Sequence, residues 1–177
     1  MWLLVCGLAS GEPAVNLQTK YYHISGQSSR ELRHSLTEKR PRGHTHDALT
    51  TWSVSYTYSW QQVDGGVIIQ NPKISVTIIT TLPNWSAPKD ADPLLVERWR
   101  TYLRALQHHE NGHAAIGTQA AREVERQLAS LPRQPHAEAL KQAIETTSQQ
   151  IIAAAREREK QFDLQTQHGM KHGARFP

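Results

Sequence analysis

The chain has 177 residues, a net charge of +4 and 38% hydrophobic residues, with a mean hydropathy of −0.60. That is the length of one domain with room for a true core, and it argues against an integral membrane protein. Basic residues such as Arg122, Arg126, Arg156, Arg158 and Lys160 lie among acids, so no basic stripe marks a nucleic-acid surface.

Residues 1–9 form an apolar run ending in small residues, too short to span a bilayer. They read as the back half of a secretory signal peptide, with Gly7-x-Ala9 as the cleavage site, although a basic n-region is missing. Residues 10–177 are then expected to be a single mature domain, exported to the periplasm or secreted. Cys6 follows Val5, which is too large for lipoprotein processing, so soluble export is preferred over lipidation. Cleavage removes the single cysteine, which excludes disulfides and a thiolate metal site from the mature chain.

Residues 11–18 read as a linker and residues 20–25 as a strand stopped by Gly26. Ser28 and Glu31 form a capping-box pattern that opens a short helix with Leu32 and Leu36 on one face, ending near Pro41. A polar loop with His44 and His46 follows. Trp52, Val54, Tyr56, Tyr58 and Trp60 then alternate with hydroxyl residues, the period-two signature of a strand with one face in the core. Asp64-Gly65-Gly66 is a hairpin turn signal. Residues 67–70 form a short strand, Asn71-Pro72 breaks it, and residues 73–82 form another.

Asp92-Pro93 is a helix start, with Asp as N-cap and Pro in the first turn. The helix is expected to run to about Leu131. Leu95, Trp99, Tyr102, Leu103, Leu106, Ile116, Ala120, Val124 and Leu128 recur at steps of mostly three or four. The stripe they draw passes through His109 and His113. A second helix is expected from about His136 to Phe162, followed by a polar tail. The expected fold class is α+β: a small antiparallel sheet of three or four strands, packed on the long helix and on a second, antiparallel helix.

His109-Glu110-Asn111-Gly112-His113 is an H-E-x-x-H pattern inside the long helix. Positions i and i+4 share a helix face one turn apart, so both imidazoles can hold one Zn2+ ion. Glu110 then stands beside the open coordination position, where it can accept a proton from water and return it to a leaving group. A catalytic zinc usually has three protein ligands. Spacing alone leaves His168, Asp163, Glu138, Glu145, His172, His44, His46 and His108 open as the third. His172, Tyr21 and Tyr22 are candidates for stabilising a tetrahedral oxyanion.

Further residues carry a resemblance. They are Tyr21-Tyr22-x-Ile24-x-Gly26 with Glu31-Leu32, Thr51-Trp52, Leu82-Pro83, Trp99 ahead of His109-Glu110-x-x-His113, and Phe162-Asp163-x-x-Thr166-x-His168-Gly169. With these the chain resembles a bacterial domain family of unknown function whose members are described as predicted secreted zinc-dependent proteases. It departs from the family pattern at Phe162, where Tyr is usual, and at Ala114-Ala115, where polar residues are common. The resemblance implies that Asp163, Thr166, His168 and Gly169 form a functional cluster. It makes His168 the expected third ligand, with Asp163 the alternative. The implied function is an exported zinc metallopeptidase acting on a peptide or protein, with Glu110 as general base. The competing readings are a non-enzymatic envelope protein that keeps the zinc site, and a helical interaction module without metal.

Overall fold

A computed structural model describes residues 11–176. The expected leader, residues 1–9, lies outside the described residues. In chain order the elements are β1 (Ala14–Ile24), α1 (Ser29–Lys39), β2 (Leu49–Val63), β3 (Gly66–Trp85), α2 (Pro93–Ala129), α3 (Ala137–Thr166) and a 3-10 turn (Met170–His172). The fold is α+β, with three strands in one sheet ordered β1-β3-β2. No helix is long and apolar enough to cross a membrane among the described residues.

The sheet is mixed, where an antiparallel one was expected. β2 and β3 form the antiparallel hairpin, but β1 runs parallel to β3, from Ala14 opposite Ser75 to Ile24 opposite Trp85. α1 and β2 lie between them in the chain and supply the long connection that a parallel pair needs. The expected linker over 11–18 is therefore mostly strand. The expected break at Asn71-Pro72 is absorbed as a bulge inside β3. Ser59 pairs with Gln70 and Thr57 with Lys73, so β3 carries one residue more than β2 there. Asn71 takes a positive φ of 47° at that point. A bulge is one of the few places in a sheet where proline fits.

Local signals account for the helix starts. Ser28 Oγ accepts from the Glu31 amide, and Glu31 Oε2 accepts from the Gln27 amide. Asp92 Oδ1 accepts from the Leu94 amide ahead of a 37-residue α2. α3 runs one turn beyond its expected end, because no breaker occurs before the left-handed residues Gln167, His168 and Gly169. The extra turn puts Asp163 and Thr166 on the helix. A short connection joins α2 to α3, and Asp163 near the end of α3 lies beside His109 and His113 in the middle of α2, so the two helices pack antiparallel.

Two apolar clusters form the core. In one, the inner sheet face (Trp52, Val76, Ile78) meets Ala120, Val124 and Leu128 of α2 and Leu140, Ile144 and Ala155 of α3. In the other, Leu32, Leu36, Leu82 and Trp85 meet Leu95, Trp99, Tyr102 and Leu106 of α2. The aromatic row of β2 follows the expected face: Trp52 is buried, Tyr56 and Tyr58 pack against the first cluster, and Trp60 at the hairpin end is 49% exposed. The His-Glu motif lies where α2 passes from one cluster to the other. Polar groups there are buried without sitting in the middle of either apolar mass.

Candidate metal centre

His109 and His113 are 4% and 8% exposed, as the helical stripe requires. They point at a shared spot opposite α3. His113 Nε2 lies 3.3 Å from His109 Nε2, and Asp163 Oδ1 lies 3.1 Å from each. His109, His113 and Asp163 are the candidate metal triad among the described residues.

The outer nitrogens of the two rings fix which atoms face inward. His113 Nδ1 lies 3.4 Å from Glu159 Oε1. A carboxylate only accepts, so Nδ1 carries the proton and Nε2 presents a lone pair. His109 Nδ1 lies 3.4 Å from Thr166 Oγ1, whose own hydrogen goes to the Phe162 carbonyl at 2.7 Å. Thr166 must therefore accept from His109, which leaves His109 Nε2 bare as well. Two nitrogen lone pairs and a carboxylate oxygen thus converge at 3.1–3.3 Å with no donor among them. Only a proton or a cation relieves that crowding. A tetrahedral ion with arms of about 2.0–2.1 Å has edges of about 3.3–3.4 Å, so the donor set fits one.

Electrostatics follow from the same packing. Burial, then the neighbouring His113, pushes the His109 imidazole below its ordinary value. Burial also opposes charge on His113, but the hydrogen bond to Glu159 and the Asp163 charge outweigh it and raise the ring. At most one of the two rings carries a charge. Burial would raise Glu159, yet hydrogen bonds from His113, Arg156 and Trp52 hold it below the usual carboxylate range. Trp52 Nε1 donates to Glu159 Oε1 at 2.7 Å, and Arg156 Nη1 donates to Oε2 at 2.8 Å. These contacts lock the carboxylate that orients His113.

Glu110 is 4% exposed, and its Oε2 is buried without a hydrogen-bond partner among the described residues. Burial raises its carboxyl above the ordinary value, the direction a general base near neutral pH requires. It lines the same cleft as the triad, a cavity of about 630 Å³.

Two glycines and Phe162 make the centre compact. A Cβ on Gly112 would sit 2.3 Å from Phe162 Cζ, and one on Gly117 would sit 2.5 Å from Trp52 Cγ. Phe162 stacks on His109 with ring centroids 5.0 Å apart. α3 and the sheet approach α2 where side chains are missing.

The other candidates fall outside the triad. His168, expected as third ligand, has Nδ1 3.4 Å from Asp163 Oδ1 but does not join the three donors that lie within 4.8 Å of one another. It stacks on His46, with centroids 3.8 Å apart. His44, His108, Glu138 and Glu145 are exposed and outside the set. None of the three oxyanion candidates lines the cleft. Tyr22 donates its hydroxyl to the Asp47 carbonyl, Tyr21 is 54% exposed, and His172 sits edge-on to His108. Sequence reasoning missed Glu159 and Arg156. The signal was the helical step, since Glu159, Asp163 and Thr166 are spaced by four and three on one face of α3.

No curated protein and no solved structure matches the chain. The motif, the α3 carboxylate and the turn that ends at Gly169 all fall within one matched segment. Over residues 19–169 the chain matches the family described as bacterial protein of unknown function (DUF922), and it belongs to that family.

Proposed function

We propose that the chain is a zinc-dependent peptidase, held to its ion by His109 Nε2, His113 Nε2 and Asp163 Oδ1. One observation carries the reading: three lone-pair donors converge at 3.1–3.3 Å in the same cleft as a buried, unpartnered glutamate oxygen. Both rings present Nε2 because Glu159 and Thr166 hold Nδ1. This supports Asp163 over His168 as third ligand, with His168 Nδ1 lying 3.4 Å from the same Oδ1.

A bound zinc ion supplies Lewis acidity, polarising a substrate carbonyl and acidifying water. The protein does the rest. Glu110 Oε2, raised by burial, takes the proton of the attacking water. It then returns that proton to the leaving amine nitrogen. The two imidazoles keep the site's geometry through Glu159 and Thr166, so little reorganises during the reaction. The expected export of the protein belongs to the same proposal and rests on residues 1–9.

The test pairs metal analysis with proteolysis. The purified protein is expected to hold about one zinc per chain and to cleave casein or a peptide library. Glu110→Gln should keep the zinc and lose activity by roughly 10²–10⁴-fold. Retained zinc with no cleavage by wild type would favour the non-enzymatic reading. No zinc in any preparation, with no loss of stability in His109→Ala, would end both metal readings.

A further inference from the structure

Five basic and four acidic side chains line the cleft. Three of the acids are already engaged. Asp47 takes a two-pronged contact from Arg33, at 2.5 and 2.7 Å, and a hydrogen bond from Tyr102. Glu159 holds Arg156, His113 and Trp52. Asp163 faces the imidazoles, and Glu110 of the motif keeps its Oε2 without a partner.

Two cations remain without a carboxylate within 4.0 Å among the described residues: Arg40 and Arg175. Arg40, just past α1, donates only to the Thr45 carbonyl. Arg175, in the C-terminal tail, reaches only Met170 Sδ at 4.0 Å. Arg40 lies close enough to His46 to bear on its charge, His46 stacks on His168, and Met170 follows His168 by two residues. Both arginines therefore line the same cleft as His46 and His168. The triad lines that cleft as well, and His168 touches its Asp163.

A cation that lines a cleft with no internal partner favours an anionic guest, and guanidinium matches a carboxylate fork. We propose that Arg40 and Arg175 form a carboxylate-binding subsite, so that the cleft selects peptides bearing a carboxylate beside the bond to be cut. The subsite rests on the peptidase reading for its position relative to the reaction. The carboxylate can come from an acidic side chain or from a free C-terminus, and the chemistry of recognition is the same.

Binding tests it apart from cleavage. The probes are three fluorescein-labelled hexapeptides: Ala-Ala-Glu-Ala-Ala-Ala amide, its Gln counterpart as amide, and the Gln peptide with a free C-terminus. Anisotropy is measured on zinc-loaded Glu110→Gln protein. The Glu amide or the free-acid peptide should bind about tenfold tighter than the Gln amide, an advantage that fades at about 1 M salt. Whichever of the two shows the advantage identifies the source of the carboxylate. Adding Arg40→Gln and Arg175→Gln together should make the three peptides bind alike, and Arg175→Gln alone should remove part of the difference. Urea melts check that these variants fold. Equal binding of all three peptides, no binding of any, or discrimination that survives the folded double variant would overturn the subsite. Discrimination by binding, with no cleavage by wild type, would leave the subsite standing and remove the peptidase.

Discussion

Asp163 Oδ1 touches three imidazoles, those of His109, His113 and His168, at 3.1–3.4 Å. Replacing it separates a ligand from a neighbour. Asp163→Asn is expected to weaken zinc binding by more than about 100-fold, measured by chelator competition, whereas His168→Asn should cost about tenfold or less. A larger effect at His168 than at Asp163 would restore the order expected from the resemblance. Glu159→Gln removes the charge that holds His113 Nδ1 and should cost about 10–100-fold in zinc affinity with the fold intact. At this scale the sequence exposed both histidines and Glu110, because an i, i+4 motif is written in consecutive residues. Glu159 stayed hidden, since its role depends on which α3 face meets α2.

The contact of α2 with α3 governs how closely the centre is held. Gly112 should cost α2 about 1 kcal/mol relative to alanine on propensity alone. A methyl group there meets the Phe162 ring at 2.3 Å, however. Gly112→Ala is therefore expected to destabilise the protein by about 1–3 kcal/mol despite its better helix propensity. In a Phe162→Ala background the same change should be neutral or favourable, because the ring that it strikes is gone. Urea unfolding of the four proteins gives the coupling, and additive effects would show that the ring and the glycine are not in contact. The end of α3 belongs to this scale as well. Helical spacing alone placed its last turn too early, and with it the geometry of Asp163. The second half of β1 was expected as a strand, but its first half was read as linker although Val15, Leu17 and Thr19 alternate with polar residues. The strand is largely exposed and pairs in parallel with a partner some 60 residues away, which no local pattern records.

Across the whole molecule, Asp47 ties together three elements from one wall of the cleft. Its carboxylate holds Arg33 of α1 and Tyr102 of α2, and its carbonyl takes the Tyr22 hydroxyl of β1 at 2.6 Å. Burial pushes the Asp47 carboxyl up, but hydrogen bonds from Arg33 and Tyr102 outweigh it and hold it below the usual range. Burial, then Asp47, raises both tyrosines. Because the folded carboxyl titrates below the unfolded value of about 3.9, its stabilisation is full above that pH. It is lost as the pH falls through the lower, folded value. Asp47→Asn should cost about 1–3 kcal/mol at pH 7, with Arg33, whose side chain is 34% exposed, partly screened by water. The gap between mutant and wild-type urea midpoints should close as the pH drops below about 4. A gap that persists unchanged at acid pH would assign the loss to packing.

The sequence by itself determined the α+β class, the helix starts, the buried face of α2 and the two histidines with Glu110. Each is a local matter, set by caps and by residues three or four apart that must share one environment. The tertiary structure decided the direction of β1, the third donor and the partners of the imidazole Nδ1 atoms. The direction of β1 depends on its distant partner β3, and the donors and their partners depend on how far α3 runs and on where Gly112 lets Phe162 settle against α2. Contacts between elements follow from packing across the whole chain, and the spacing of neighbours within one element does not contain them.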